Sequence, residues 1–140
     1  MVFATIQDAL TALQHGKPVI IVDDEDRENE GDLVYAAEYI TPEKIAFMLQ
    51  HTSGILCVPT TEQRLQELHL PLMVQKNTSR HGCAFTVSVD AKVCHTGVSA
   101  ADRSHTIQTL ISGTAADFVQ PGHIFPLCAV PGGVLKRAGH

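Results

Sequence analysis

The stretch Pro18-Val19-Ile20-Ile21-Val22-Asp23-Asp24-Glu25-Asp26-Arg27-Glu28-Asn29-Glu30-Gly31-Asp32-Leu33-Val34-Tyr35-Ala36-Ala37 decides the fold class. Its first five residues form a short, β-branched apolar run, the pattern of a buried strand. Apolar character resumes at Leu33-Val34-Tyr35-Ala36-Ala37. A charged decapeptide therefore joins two segments that read as strands. Upstream, Ile6, Leu10 and Leu13 recur at helical spacing after Thr5, and Gly16-Lys17-Pro18 ends that helix. The chain thus opens helix, strand, acidic loop, strand.

Downstream the alternation continues irregularly. Thr41-Pro42-Glu43 supplies an N-cap, a first-turn proline and a helix-compatible acid, with Ile45, Met48 and Leu49 as the apolar face. Gly54-Ile55-Leu56-Cys57-Val58-Pro59 reads as a buried strand ended by its proline. Thr60-x-x-Gln63 opens a short helix to about Leu68 through a capping box. Residues 75–82 are polar and predict a mobile loop. Phe85, Val87 and Val89 alternate with Thr86, Ser88 and Asp90, the pattern of a half-buried strand. Ser99-x-x-Asp102 caps a helix whose inner face is Ile107, Leu110 and Ile111. Beyond Gly113 the chain reads as short strands and glycine turns, among them Pro121-Gly122-His123. Such a mixture predicts an α+β (mixed α/β) fold, a mixed twisted sheet with helices packed on it in layers.

Composition narrows the function classes. The 140 residues are 44% apolar and 18% charged, enough for a core in one domain spanning 1–140. No apolar run approaches the ~20 residues that span a bilayer, and the N-terminus lacks a secretory pattern. A cytoplasmic protein without membrane association is expected. The decapeptide Asp23–Asp32 holds seven carboxylates and one arginine, a net −6 against −5 for the whole chain, so the remainder carries +1. No basic cluster or aromatic platform points to nucleic acid. Cys57, Cys83, Cys94 and Cys128 contain no C-x-x-C pair, which excludes a zinc ribbon or thioredoxin-type motif; buried reduced thiols are expected.

Three segments carry chemistry-bearing residues. The acidic decapeptide is either a solvated turn or the wall of a cleft, where repulsion is relieved by an oxygen-loving divalent cation such as Mg²⁺. An EF-hand is excluded, because Asn29 occupies the position that needs glycine when Asp24 is counted first. His123 sits between Pro121-Gly122 and Ile124-Phe125-Pro126, a rigid setting for either a structural or a proton-transferring imidazole. Lys136-Arg137-Ala138-Gly139-His140 is either a basic terminus or a site where Arg137 grips phosphate and His140 ligates a metal. His15, His51, His69, His81, His95 and His105 read as surface or structural residues.

Taken in order, Asp23–Asp32, Phe85-Thr86-Val87-Ser88-Val89-Asp90-Ala91, Thr96-Gly97-Val98-Ser99-Ala100-Ala101-Asp102-Arg103, Thr106-Ile107, Pro121-Gly122-His123-Ile124-Phe125-Pro126-Leu127, Gly132-Gly133-Val134-Leu135 and Arg137-Ala138-Gly139-His140 resemble the 3,4-dihydroxy-2-butanone 4-phosphate synthase family. The resemblance covers nearly the whole chain. It implies a lyase of riboflavin biosynthesis that converts ribulose 5-phosphate to dihydroxybutanone phosphate and formate. It further implies Mg²⁺ (or Mn²⁺) dependence and a homodimer with active sites near the subunit interface. By the same resemblance, Glu28 and His140 hold the metal, and His123 is catalytic. Arg27, Glu28, Asp32, Arg137, Ala138, Gly139 and His140 contact the substrate.

The family pattern continues beyond the final histidine and includes a later catalytic glutamate, whereas this sequence ends at His140. The resemblance thus leads one to expect a longer polypeptide, in some relatives fused to a GTP cyclohydrolase II domain. The competing readings are an inactive fragment and a non-catalytic module that binds a sugar phosphate or divalent cation.

Overall fold

Hydroxyl side chains start each α-helix of the computed structural model, which describes residues 3–139. Thr5, Thr41, Thr61 and Ser99 stand in extended backbone and accept hydrogen bonds from the N–H groups of Asp8, Lys44, Arg64 and Asp102. Each relieves one of the donors that a helix start leaves without a partner. The helices are α1 (Ile6–Gln14), α2 (Pro42–His51), α3 (Glu62–Glu67) and α4 (Ala100–Ser112). The cap of α3 is Thr61 rather than the expected Thr60, a one-residue shift.

The strands are β1 (Val19–Val22), β2 (Gly31–Val34), β3 (Cys57–Thr60), β4 (Val89–Ala91) and β5 (Phe118–Cys128). β1 and β2 pair antiparallel, Val19 opposite Val34 and Val22 opposite Gly31, with the acidic loop as their connection. The other three form a sheet in the order β3-β5-β4, parallel on one side of β5 and antiparallel on the other. The α+β organisation expected from the sequence is therefore present, with its strands divided between two sheets.

Several local expectations need correction. β1 is not buried: Ile20 is 70% exposed. A β-branched run favours the extended backbone, but burial needs a layer packed on it, and this two-stranded ribbon exposes Ile20, Ile21 and Val22. The first helix likewise has no buried residue. Pro59 lies inside β3 instead of ending it, which is compatible with an edge strand bonded only to β5.

β5 runs eleven residues straight through Pro121-Gly122-His123, where a turn was expected. The ladder explains this. Val89 pairs with Ile124 while Asp90 pairs with Val119, so residues 120–123 form an irregularity opposite one step of β4. Proline removes a ladder hydrogen bond at little cost where the ladder is already interrupted.

The strand pattern at 85–90 holds only in part: Val89 is fully buried as expected, but the polar positions are buried with it. Thr86, Ser88 and Asp90 are buried, whereas Phe85 and Val87 are only partly so. Each polar group has a partner on β5: the Thr86 hydroxyl donates to the Pro126 carbonyl, Ser88 Oγ accepts the Gly122 N–H, and Asp90 accepts the His123 N–H. Paired polar groups tolerate burial that unpaired ones do not. The four cysteines are free, as expected, but Cys57 is exposed and the others half-buried.

The core gathers Ile40, Ile45, Leu56, Leu65, Leu68, Leu70, Val89, Ile107, Leu110, Phe118 and Ile124. Helix α4 packs on α2 and β4. Ile111, expected inside, is 48% exposed; buried Ser104 and Thr106 join Ile107 and Leu110 on the inner side. Thr106 earns that place by chemistry: its hydroxyl accepts the Ala91 N–H at 2.9 Å and donates to the Asp102 carbonyl at 2.9 Å.

Thr106→Val keeps the shape and leaves the Ala91 N–H without its partner, so urea unfolding should show a loss of about 1–3 kcal/mol. Thr106→Ser should retain most of that stability. Fully buried Ile124→Ala should cost about 2–5 kcal/mol in the same measurement.

Candidate active site

Seven carboxylates in ten residues repel one another, and the fold uses one of them to order the rest. Asp23 Oδ2 accepts from Arg27 Nη1 at 2.7 Å and from the Glu28 N–H at 3.0 Å. Asp23 Oδ1 accepts the Glu30 N–H at 3.0 Å. Asp24 begins the turn, its side chain accepting the Asp26 N–H and its carbonyl the Arg27 N–H. Asn29 takes a left-handed φ of 54°, a conformation asparagine tolerates better than most residues. The loop thereby presents Arg27 and Glu28 together, Nη2 to Oε1 at 2.9 Å. The Asp23 hydrogen bond, and then the charges of Glu28 and Asp23, hold the Arg27 guanidinium above its usual pKa.

A second loop closes on this one. Asn77 accepts the Ser79 N–H and hydroxyl with Oδ1, and donates from Nδ2 to the Cys83 carbonyl at 2.8 Å. The polar segment read as mobile thus has a side chain tying its ends. It places His81 Nδ1 3.7 Å from Glu28 Oε1. The His81 carbonyl accepts from Arg137 Nη2, and Cys83 Sγ lies 3.7 Å from the same nitrogen. The carbonyl is neutral, so it aims the Arg137 guanidinium without cancelling its charge.

Gly139 closes the third side. A Cβ there would stand 2.8 Å from Arg27 Nη2 and 3.1 Å from Arg137 Nη1, so two cationic groups flank one point of backbone. Beside them lies a cavity of about 190 Å³, its lining including Cys83, Cys128, Gly133, Arg137 and Gly139. The Cys57 thiol is pushed up to about 11, chiefly by burial of its sulfur environment although the residue retains exposed surface, with the Asp32 charge adding to the effect. That interaction puts Asp32 of β2 near β3.

His123 lies on a different part of β5. Its Nδ1 is 2.7 Å from Asp90 Oδ2, and its N–H donates to Asp90 Oδ1 at 2.8 Å. Four to five residues of strand separate it from Leu127 and Cys128 at the cavity, roughly 15 Å at the usual rise per residue.

The structure thus brings Arg27, Glu28, Arg137 and Gly139 together, with Ala138 exposed between the last two. Asp32 is on the adjoining strand, and His123 stands apart within one chain. His140 lies outside the described residues. Sequence reasoning passed over Asp23, which orders the acidic loop, His81, which faces Glu28, and Asp90, which holds His123. Asp23 had a legible signal as the first carboxylate after a strand. The other two meet their partners only through long-range folding.

Comparison with known proteins follows the same path. Residues 7–140 match the family model described as 3,4-dihydroxy-2-butanone 4-phosphate synthase. A protein of that name from Shewanella loihica is 54% identical over 138 residues, covering 96% of this chain and 64% of its own length. The riboflavin biosynthesis protein RibBA of Bacillus subtilis is 53% identical over 140 residues, covering 99% of this chain and 35% of its own. The chain therefore spans less than two thirds of these relatives. A crystal structure of 3,4-dihydroxy-2-butanone 4-phosphate synthase in complex with two magnesium ions superposes with a TM-score of 0.95 at 46% identity, over 99% of this chain and 66% of that one. Agreement of sequence and fold at these levels over almost every residue places the chain in the 3,4-dihydroxy-2-butanone 4-phosphate synthase family.

Proposed function

We propose that the protein converts ribulose 5-phosphate to 3,4-dihydroxy-2-butanone 4-phosphate and formate, as a Mg²⁺-dependent lyase of riboflavin biosynthesis. One observation carries this reading: the Arg27 and Arg137 guanidinium groups converge on Gly139, with the Glu28 carboxylate against Arg27 and a cavity lined by Arg137 and Gly139 beside them. Cations of fixed charge suit a phosphate, and a carboxylate beside them suits a divalent metal.

The donor set fits Mg²⁺ in a particular way. Among the described residues there is no group of three or more His, Cys, Asp or Glu side chains able to hold a metal. Mg²⁺ needs no such cage, since it takes one or two carboxylates and fills its octahedron with water and substrate oxygens. Glu28, with the imidazole of His140, would hold it, and Mn²⁺ would serve the same oxygen-rich set. When bound, the ion supplies positive charge beside substrate oxygens where negative charge develops.

The chain's own groups do the rest. Arg137, oriented by the His81 carbonyl, grips the phosphate and anchors a flexible sugar while its other end reacts. Arg27 adds a second cation, and Ala138 and Gly139 let the substrate approach the backbone. Asp32 orients or deprotonates a sugar hydroxyl, and His123 moves a proton. Because His123 is roughly 15 Å along β5 from the cavity, a second copy of the chain supplies it, and the working unit is a homodimer. A cytoplasmic location agrees with four free cysteines, and no helix of the described residues is long and apolar enough to cross a membrane.

Three outcomes are expected for protein purified from its native gene. Formate release from ribulose 5-phosphate should require Mg²⁺, stop with chelator, and be abolished in Glu28→Gln with little change in melting temperature; binding without any formate release would instead identify a binding module. Arg137→Ala should lower kcat/KM by about 10–100-fold, mainly through KM, and Arg137→Lys should recover it only partly. Mixing inactive Glu28→Gln with inactive His123→Gln and allowing subunits to exchange should restore about a quarter of wild-type activity, since half the dimers then hold one intact site of two.

A further inference from the structure

We propose that Asp90 is the positioning residue of His123, fixing its imidazole as the Nδ1–H tautomer so that Nε2 is the nitrogen offered to substrate. The inference rests on the proton-transfer role assigned to His123 above and adds the group that makes that role possible.

Asp90 lies on β4 and is 6% exposed, a poor place for a carboxylate without partners. Both of its oxygens are directed at one residue, 33 positions away in sequence. Oδ1 accepts the His123 N–H at 2.8 Å, and Oδ2 meets Nδ1 at 2.7 Å. A carboxylate only accepts, so the proton in the second contact belongs to Nδ1. In a neutral ring the lone pair is then on Nε2. The His123 side chain is 40% exposed, so the ring is held at Nδ1 while still reaching the surface.

The carboxylate is itself confined. The Gly97 backbone lies directly over it, and a Cβ on Gly97 would stand 2.0 Å from Oδ2. Gly97 has a φ of +80°, and its N–H donates to Asp102 at the start of α4. No side chain fits between that segment and Asp90. From the other side, the irregular step of β5 at residues 120–123 turns His123 onto the carboxylate, and Ser88 pins it by accepting the Gly122 N–H at 3.1 Å. Mere satisfaction of a buried acid would be met by backbone donors. The Oδ2–Nδ1 contact adds control of which ring nitrogen carries the proton, the same division of labour by which a carboxylate orients the histidine of a hydrolase triad.

The test compares wild-type protein with Asp90→Asn, His123→Gln and the double variant, by steady-state formate release and by ¹⁵N NMR of the histidine rings. In wild type, the His123 resonances should report Nδ1 protonated in the neutral ring. Asp90→Asn should lose at least about 100-fold in kcat with KM changed less than threefold, and its ring should lose the single tautomer. The double variant should be no slower than His123→Gln alone. A wild-type ring protonated at Nε2 would overturn the proposal whether or not Asp90→Asn folds. So would a kcat within threefold of wild type, or losses that add in the double variant. Wild-type protein that releases no formate would defeat the functional reading, while the tautomer measurement would still decide the positioning.

Discussion

Three hydrogen bonds accepted by the Asp23 carboxylate are the constraint on which the site depends. A decapeptide of net −6 favours expansion, and any turn it forms must overcome mutual repulsion. Asp23, its side chain only 8% exposed, converts part of that repulsion into attraction by capturing the Arg27 guanidinium and two backbone N–H groups. Charge-assisted bonds of this kind are stronger than neutral ones, and they gain from partial shielding from water. The loop is closed by the first of its own acids, which leaves Glu28 presented beside Arg27.

The long strand β5 links that loop to the remaining chemistry. Its C-terminal half pairs with β3 and lines the cavity with Leu127 and Cys128, while its N-terminal half pairs with β4 and carries His123. The interruption at residues 120–123 gives up regular pairing and gains a ring turned against Asp90. Bulged steps beside functional groups commonly re-aim a side chain in this way. Polar residues on the neighbouring segment 85–90 are buried for the same reason, each answering a donor or acceptor on β5.

Legibility from sequence followed the range of the interaction. Helix starts at Thr5, Thr41 and Ser99 were readable because a cap and its target lie three residues apart. The strands flanking the acidic loop were readable from β-branched and apolar runs, although their exposure was not, and β2 runs Gly31–Val34 rather than through Ala37, which opens a 3-10 turn. Ile20 is a strong strand former wherever it sits, but what covers it is a matter of packing. Likewise, the alternation of Phe85, Val87 and Val89 placed Val89 in the core correctly but left Thr86, Ser88 and Asp90 on the solvent side, since these find their partners more than thirty residues away.

By itself, then, the sequence determined the α+β class, the helix boundaries to within a residue or so, the acidic loop between two strands, and the family through motifs kept in order along the chain. These depend on local propensity, capping and residue identity. Tertiary structure decided that Arg27 and Arg137 share Gly139, that His81 faces Glu28, and that Asp90 holds His123. Those pairings span tens of residues, and their geometry depends on strand register and loop closure, which nearest-neighbour patterns do not encode.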